Sequence, residues 1–422
     1  MKQRNLVLVA ALAAAGLVTV VGGTLAPAVA VAAQPAPKLG AKVQKPLKAA
    51  QDAMNAKNWD EAAARVEEAR AVEPKTPYEA FMVDELGWYI LLQKKDYAGA
   101  AAGLERAVAS GFVDPAALPQ RQKALSQLNY QVQDFDKAIQ FGTQYLESVP
   151  GDADIPVLVA QSYYMKKDYA GTRAFVQKLT GGAEKPSEQL LLLSLRSSYE
   201  LKDRAGTVQS LEALVRHYPQ PKYWEDLLTN QLYQTKGDRE MRALYRLIDE
   251  TRTLDKPDEY SEMAGTLITG GYPTEAKQVL ERGLAANVFA GEAKTRAQAD
   301  LARAKAGADA DSKELPGADK ALAAARTGNE MVAMGKLFFS VGDFAKAADA
   351  IQKGMAKGGV VDMEDANALL GIAQARAGKP VEARAAFDAI KDPKLTEIAR
   401  LWKLYLDTQA APPAQPAPAP AG

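Results

Sequence analysis

The sequence predicts an all-α protein, an α-solenoid of about ten antiparallel helix pairs finished by a C-terminal capping helix. The first observation behind this is a period. Tyr130, Tyr164, Tyr199 and Tyr233 recur at intervals of 34, 35 and 34 residues. The second is that an aspartate follows each tyrosine within five residues, as Asp134, Asp168, Asp203 and Asp238. A period near 34 with a fixed polar residue at the same place in each copy fits one hairpin of helices, copied and stacked. The third is length. A repeat array of 422 residues needs no division into compact domains, because each unit buries its apolar face on its neighbours.

Lys2 and Arg4 precede an uncharged apolar run from Leu6 to Val21, and small residues Ala28 to Ala33 follow. This is the pattern of a cleavable secretory signal, assigned to residues 1–33. An uncleaved anchor is the rival reading, since the uncharged run is long enough to span a bilayer; Gly22, Gly23 and Pro27 favour cleavage. Its removal leaves 50 basic against 52 acidic residues. Residues 34–45, with Pro35 and Pro37, read as a flexible leader. The expected product is periplasmic, with no membrane span after cleavage.

Seven units are expected over residues 46–290. In the first, Ala62, Val66 and Ala69 share one helical face and Pro74 stops the helix, because it has no N–H for the next backbone bond. Matching second helices open at Tyr97, Phe135, Tyr169, Arg204, Arg239 and Pro273, then at Phe344 and Pro380. The step from Pro273 to Phe344 is 71 residues, which is two units. A degenerate repeat is therefore placed at 291–327, with helices at 292–306 and 318–326 and a soft alanine-rich loop from Gly307 to Gly317. Two more units and the capping helix fill 328–409; Ile398, Leu401, Trp402 and Tyr405 lie on one face of that helix. The proline- and alanine-rich stretch 410–422 carries no core residue and is expected to be disordered.

The run of small, large and small residues followed by proline resembles the second helix of the tetratricopeptide repeat. Leu86-Gly87, Met334-Gly335 and Leu370-Gly371 agree with that family's large-then-small pair on the first helix. The resemblance implies a right-handed superhelix in which the inner faces of the first helices line a concave groove. Segments such as Leu86 to Tyr97, Tyr218 to Trp224 and Leu369 to Ala373 are similar to periplasmic tetratricopeptide proteins of proteobacteria that accompany TonB, ExbB and ExbD systems. That narrower resemblance implies an accessory role in TonB-dependent outer-membrane transport, through contact with envelope proteins or peptides.

Composition and motifs bound the chemistry. Equal numbers of acidic and basic residues, with no basic run, argue against a nucleic-acid partner. The absence of cysteine removes disulfides, thiolate metal sites, cysteine nucleophiles and a lipidated N-terminal cysteine. His217, the single histidine, stands at a helix end with no identifiable triad partner. Asp96, Asp134, Asp168, Asp203, Asp238 and Asp343 are read as caps of the following helices rather than metal ligands. Asp309 and Asp311 begin like a calcium loop but lack its glycine and terminal glutamate. No catalytic residue, metal or cofactor is assigned.

The candidate site is a protein-binding groove. Tyr130, Tyr164, Tyr199 and Tyr233 fall beside the turn on successive first helices, with Gln127, Gln161 and Arg196 one turn earlier on the same face. These residue types supply interface hot spots, although tyrosine here can equally pack between units. The function expected is a protein-interaction scaffold in the cell envelope. A scaffold for polysaccharide export or outer-membrane protein assembly is the alternative, and a cell-wall-active enzyme is disfavoured by the missing acid, base or nucleophile.

Overall fold

The computed structural model of the protein describes residues 38–410. The expected signal segment, the first residues of the leader and the tail beyond Ala410 lie outside them. Within them the chain forms nine packed helix pairs, one degenerate pair and a final helix. The pairs are α1 (Ala41–Asn55) with α2 (Trp59–Arg70), α3 (Pro77–Gln93) with α4 (Tyr97–Ala109), and α5 (Leu118–Gln131) with α6 (Phe135–Ser148). Then follow α7 (Ile155–Met165) with α8 (Tyr169–Thr180), α9 (Glu188–Glu200) with α10 (Arg204–His217), and α11 (Pro221–Leu232) with α12 (Asp238–Glu250). The series continues through α13 (Pro257–Gly270) with α14 (Pro273–Ala285), the degenerate pair α15 (Gly291–Glu314) and α16 (Ala318–Ala324), which pack on α14 and α17 respectively, and α17 (Gly328–Ser340) with α18 (Phe344–Lys357). It ends with α19 (Met363–Arg376), α20 (Pro380–Asp388) and the last helix α21 (Pro393–Ala410).

One residue does two jobs at the turn inside a pair. The Asp96 N–H reaches back to the Leu91 carbonyl at 2.9 Å and closes α3, while its carboxylate accepts the Gly99 N–H at 2.9 Å and opens α4. Asp134, Asp168, Asp203 and Asp343 repeat this double role, and Asn58 performs it in the first pair. The residue before the cap must turn left-handed for the chain to reverse so tightly. Gly271, Gly342 and Gly378 take that conformation in the C-terminal pairs. In the N-terminal pairs it is taken by Lys57, Lys95, Gln133, Lys167 and Lys202, at φ between 54° and 66°. Left-handed backbone costs a side-chain-bearing residue about 1 kcal/mol or more that glycine does not incur.

Asp238 departs from the expectation. α11 ends at Leu232, so the connection is longer than in the other pairs, and Asp238 becomes the first helical residue, with Gly237 in the cap position and no side-chain cap. The leader also ends sooner than expected. α1 starts at Ala41 despite Pro46 inside it, because Val43, Leu47 and Ala50 bury one face and the Gly40 N–H is held by Glu79 at 2.8 Å.

The expected soft loop from Gly307 is helical instead. α15 runs on to Glu314 and meets α16 through a single 3-10 turn, Leu315–Gly317. The small residues read as a loop signal are there for close approach. A Cβ on Gly307 would lie 2.5 Å from the Pro273 ring, and Ala304 and Ala308 are buried. Asp311 then accepts hydrogen bonds from Thr274 at 2.9 Å and Ser340 at 3.1 Å. Gly335 and Gly371 obey the same rule inside their pairs, where a Cβ would strike Ile351 and Phe387 at 2.5 Å.

The core differs between the two halves. From Val43 to Leu193 it is four separate clusters, as in an array whose units touch only their neighbours. From Leu191 to Leu406 it is one continuous cluster. The reason is α21. It covers α19 and α20 as a cap would, and it also packs against α10 and α12, while α12 meets α19. The C-terminal half is thereby closed on itself.

Candidate interaction surface

The tyrosine ladder divides into two kinds of position. Tyr130, in the last turn of α5, sets its ring edge-on to Phe135, the first residue of α6, at 5.8 Å. Tyr164 does the same with Tyr169 across the α7–α8 turn, at 5.3 Å. Both are half-buried, and each pins its own hairpin shut, a contact worth about 0.5–1.5 kcal/mol beyond the area it buries. Tyr199 has Arg204 where the others have an aromatic ring, and it is 51% exposed. Tyr233 caps the C-terminus of α11 and is 82% exposed.

The flanking residues follow the same division. Gln127 and Gln161 are half-buried and Arg196 is exposed. Among the described residues none of the three makes a side-chain hydrogen bond or an ion pair. The rows adjoin, since α5 touches α7 and α7 touches α9, and Arg204 donates to the Asn230 carbonyl near the end of α11.

Two residues that sequence reasoning passed over belong to this edge. Met165, beside Tyr164, is 55% exposed, and Leu201, two residues after Tyr199, is 43% exposed. With Tyr199 and Tyr233 they are four of the nine large apolar side chains exposed among the described residues, all within residues 165–233. Single exposed apolar groups need no explanation, but several in neighbouring units are more than isolated surface residues. Met165 is the last residue of α7, and Leu201 is the residue that follows α9.

A second constellation lies inside the closed half. Arg246 is 3% exposed, forms a bidentate pair with Glu275 at 2.7–3.1 Å, and lies between the rings of Tyr272 at 4.2 Å and Phe339 at 4.4 Å. Arg376 joins Glu275 at 3.0 Å and Glu250 at 2.7 Å. Burial works against a charge on Glu275, yet Arg246 and Arg376 hold its carboxyl below the ordinary glutamate range. Beside them Asp365 receives Lys336 at 3.1 Å and Arg242 at 3.5 Å. Every carboxylate here is neutralised by a guanidinium or ammonium, so the cluster offers no free base. Its role is to join α12, α14, α17 and α19.

His217 ends α10, and burial together with Arg216 and Lys185 pushes its imidazole below the usual value. Among the described residues its side chain makes no hydrogen bond or ion pair that would orient it. Ser194 and Ser210 bond to each other at 3.0 Å, and Ser198 bonds the Ser194 carbonyl, so these hydroxyls serve helix packing. Among the described residues no three histidine, aspartate or glutamate side chains converge as metal ligands would.

No family model matches the chain, and no curated protein matches it in sequence. Solved structures similar to it include a tetratricopeptide repeat protein from Parabacteroides merdae ATCC 43184, at 13% identity over 79% of this chain and 100% of that one, with a TM-score of 0.30. Naa15/Naa10 bound to HypK-THB is similar at 15% identity over 87% of this chain and 69% of that one, with a TM-score of 0.28. The APC/C hetero-tetramer Cut9-Hcn1 is similar at 13% identity over 87% and 86%, with a TM-score of 0.20. TM-scores this low leave the architecture to rest on this chain's own helix pairing, which is that of an all-α solenoid of nine packed pairs, one degenerate pair and a closing helix.

Proposed function

We propose that this protein is a helical-repeat scaffold that binds other proteins through the exposed end of its tyrosine ladder. The observation that carries this is the run of exposed Met165, Tyr199, Leu201 and Tyr233 along adjoining units, with Arg196 unpaired beside them. Each ring closed off from water by a partner contributes about 1–2 kcal/mol, and a guanidinium next to them supplies directional hydrogen bonds. A few such anchors account for most of the affinity of an ordinary interface.

The setting of that scaffold is the cell envelope, reached by export through the N-terminal signal. Its task is to accompany TonB-dependent transport across the outer membrane. The signal-like first 33 residues and the resemblance to TonB-associated periplasmic repeat proteins support this reading. Among the described residues no helix is long and apolar enough to cross a membrane.

Photocross-linking in cells from a reactive residue at Tyr199 tests the proposal. Capture of TonB-system proteins is expected. Exclusive capture of a polysaccharide-secretion or outer-membrane assembly complex would replace the transport role, and absence of any captured protein would overturn the scaffold itself.

A further inference from the structure

The left-handed lysines carry an inference that does not depend on the tyrosines. The C-terminal pairs show that glycine serves at this turn position, as Gly271, Gly342 and Gly378. Four of the five N-terminal pairs place a lysine there instead: Lys57, Lys95, Lys167 and Lys202. Backbone strain kept at four equivalent positions, with the same side chain each time, calls for a use of that side chain.

Internal ion pairing is not that use. In Lys94-Lys95 and Lys166-Lys167 the first lysine of each doublet reaches back to an aspartate of the preceding pair. Lys94 meets Asp60 at 2.6 Å, and Lys166 meets Asp136. The second lysine, the left-handed one, is exposed, and among the described residues it has neither a salt bridge nor a side-chain hydrogen bond; the same holds for Lys57 and Lys202. The neighbouring carboxylates Asp96, Asp168 and Asp203 are engaged by helix N-termini, and Asp203 also by Arg173.

These cations share one edge. Lys94 to Asp60 ties the second turn to the first, Lys166 to Asp136 ties the fourth to the third, and Arg173 to Asp203 ties the fourth pair to the fifth turn. First helices in contact, as α1 with α3 and α7 with α9, lie about 10 Å apart, so Lys57 and Lys95 form one such step and Lys167 and Lys202 another, with Gln133 between the two. An extended polypeptide covers that distance in about three residues.

We propose that the turn edge of the N-terminal half docks an acidic polypeptide segment lying along Lys57, Lys95, Lys167 and Lys202, with a carboxylate at about every third residue. Electrostatic complementarity of this kind sets register and association rate along the array. Exposed Glu200 and Asp238 on the same side disfavour a continuous anionic surface such as a membrane, which would meet them as well.

The test uses the full chain and a fluorescent peptide of repeated Glu-Ala-Ser triplets, with a Gln-Ala-Ser peptide as control. The glutamate peptide is expected to bind at low salt and to be released by about 0.5 M NaCl. Replacing all four lysines by glycine is expected to weaken binding at least about tenfold. Thermal stability should hold or rise, since glycine relieves the turn. Lys→Arg at the four positions should restore binding, and Gln133→Lys, which completes the row, should tighten it about threefold. Equal binding of both peptides, or binding unaffected by the glycine variant, would overturn the proposal. So would lysine-dependent binding confined to vesicles containing phosphatidylglycerol.

Discussion

Trp402 donates its indole N–H to the Ala243 carbonyl at 2.9 Å, joining residues 159 positions apart. Around this bond Arg400 pairs with Glu212, Arg216 with Asp407 at 3.0 Å, and Arg239 with Asp392 at 2.5 Å. The final helix therefore holds the end of the array to its middle. Trp402→Ala should cost about 3–5 kcal/mol, the range for deleting a buried aromatic ring. The loss should be local. Hydrogen exchange should speed up in α10, α12 and α19–α21 and stay unchanged in α1–α6, whereas uniform acceleration along the chain would deny the closure.

Glu275 stands between the buried Arg246 and the part-buried Arg376, and removing it leaves Arg246 charged with no ion-pair partner. Glu275→Ala is expected to destabilise by about 3–5 kcal/mol in urea unfolding. Glu275→Gln should cost nearly as much, because a neutral amide restores shape but not charge. A loss under about 1 kcal/mol would mean that the cluster is not sealed from water.

The turn aspartates separate by geometry. Asp168→Ala removes the acceptor for the Gly171 N–H at 2.8 Å and should cost about 1 kcal/mol. Asp238→Ala removes only a charge near a helix N-terminus, worth a few tenths of a kcal/mol. Equal urea midpoints for the two variants would contradict the shifted register of the α11–α12 turn.

Asp152 gives a prediction for acid. Burial raises its pKa, but the Ile155 N–H at 2.9 Å, Lys123 at 2.6 Å and the Tyr145 hydroxyl at 2.8 Å outweigh burial and bring it down to about 2. The folded value lies below the unfolded one near 4, so its contribution is complete above about pH 4 and is lost as pH falls towards 2. Asp152→Asn should therefore be less stable than the parent at pH 7. The difference should shrink between pH 4 and pH 2, as followed by thermal unfolding; a constant difference would show that the carboxylate's charge is not involved.

Much of the architecture was legible because a stacked hairpin must repeat its small residues, turn and cap, and these leave a period in the chain. Legibility failed where one residue type serves two purposes. Gly307 and Ala308 look like a loop but allow α15 to approach Pro273 closely. Residues 34–45, with Pro35 and Pro37, read as a leader, yet from Ala41 onward they already belong to α1. The division of the tyrosine ladder was written in the sequence, since Phe135 and Tyr169 stand where Arg204 stands in the next unit. The closure was not, because pairs such as Arg216 with Asp407 or Arg376 with Glu250 join distant charged residues that each read as a solvated helix face.

Whether the exposed end of the ladder holds a partner is measured by the double variant Tyr199→Ala/Tyr233→Ala set beside Tyr164→Ala. Thermal stability and the yield of protein captured in cells from a cross-linker at Met165 are read together. The double variant is expected to keep its melting temperature and lose the captured partner, while Tyr164→Ala lowers the melting temperature because it unpins the α7–α8 hairpin. Undiminished capture by the double variant would contradict the account.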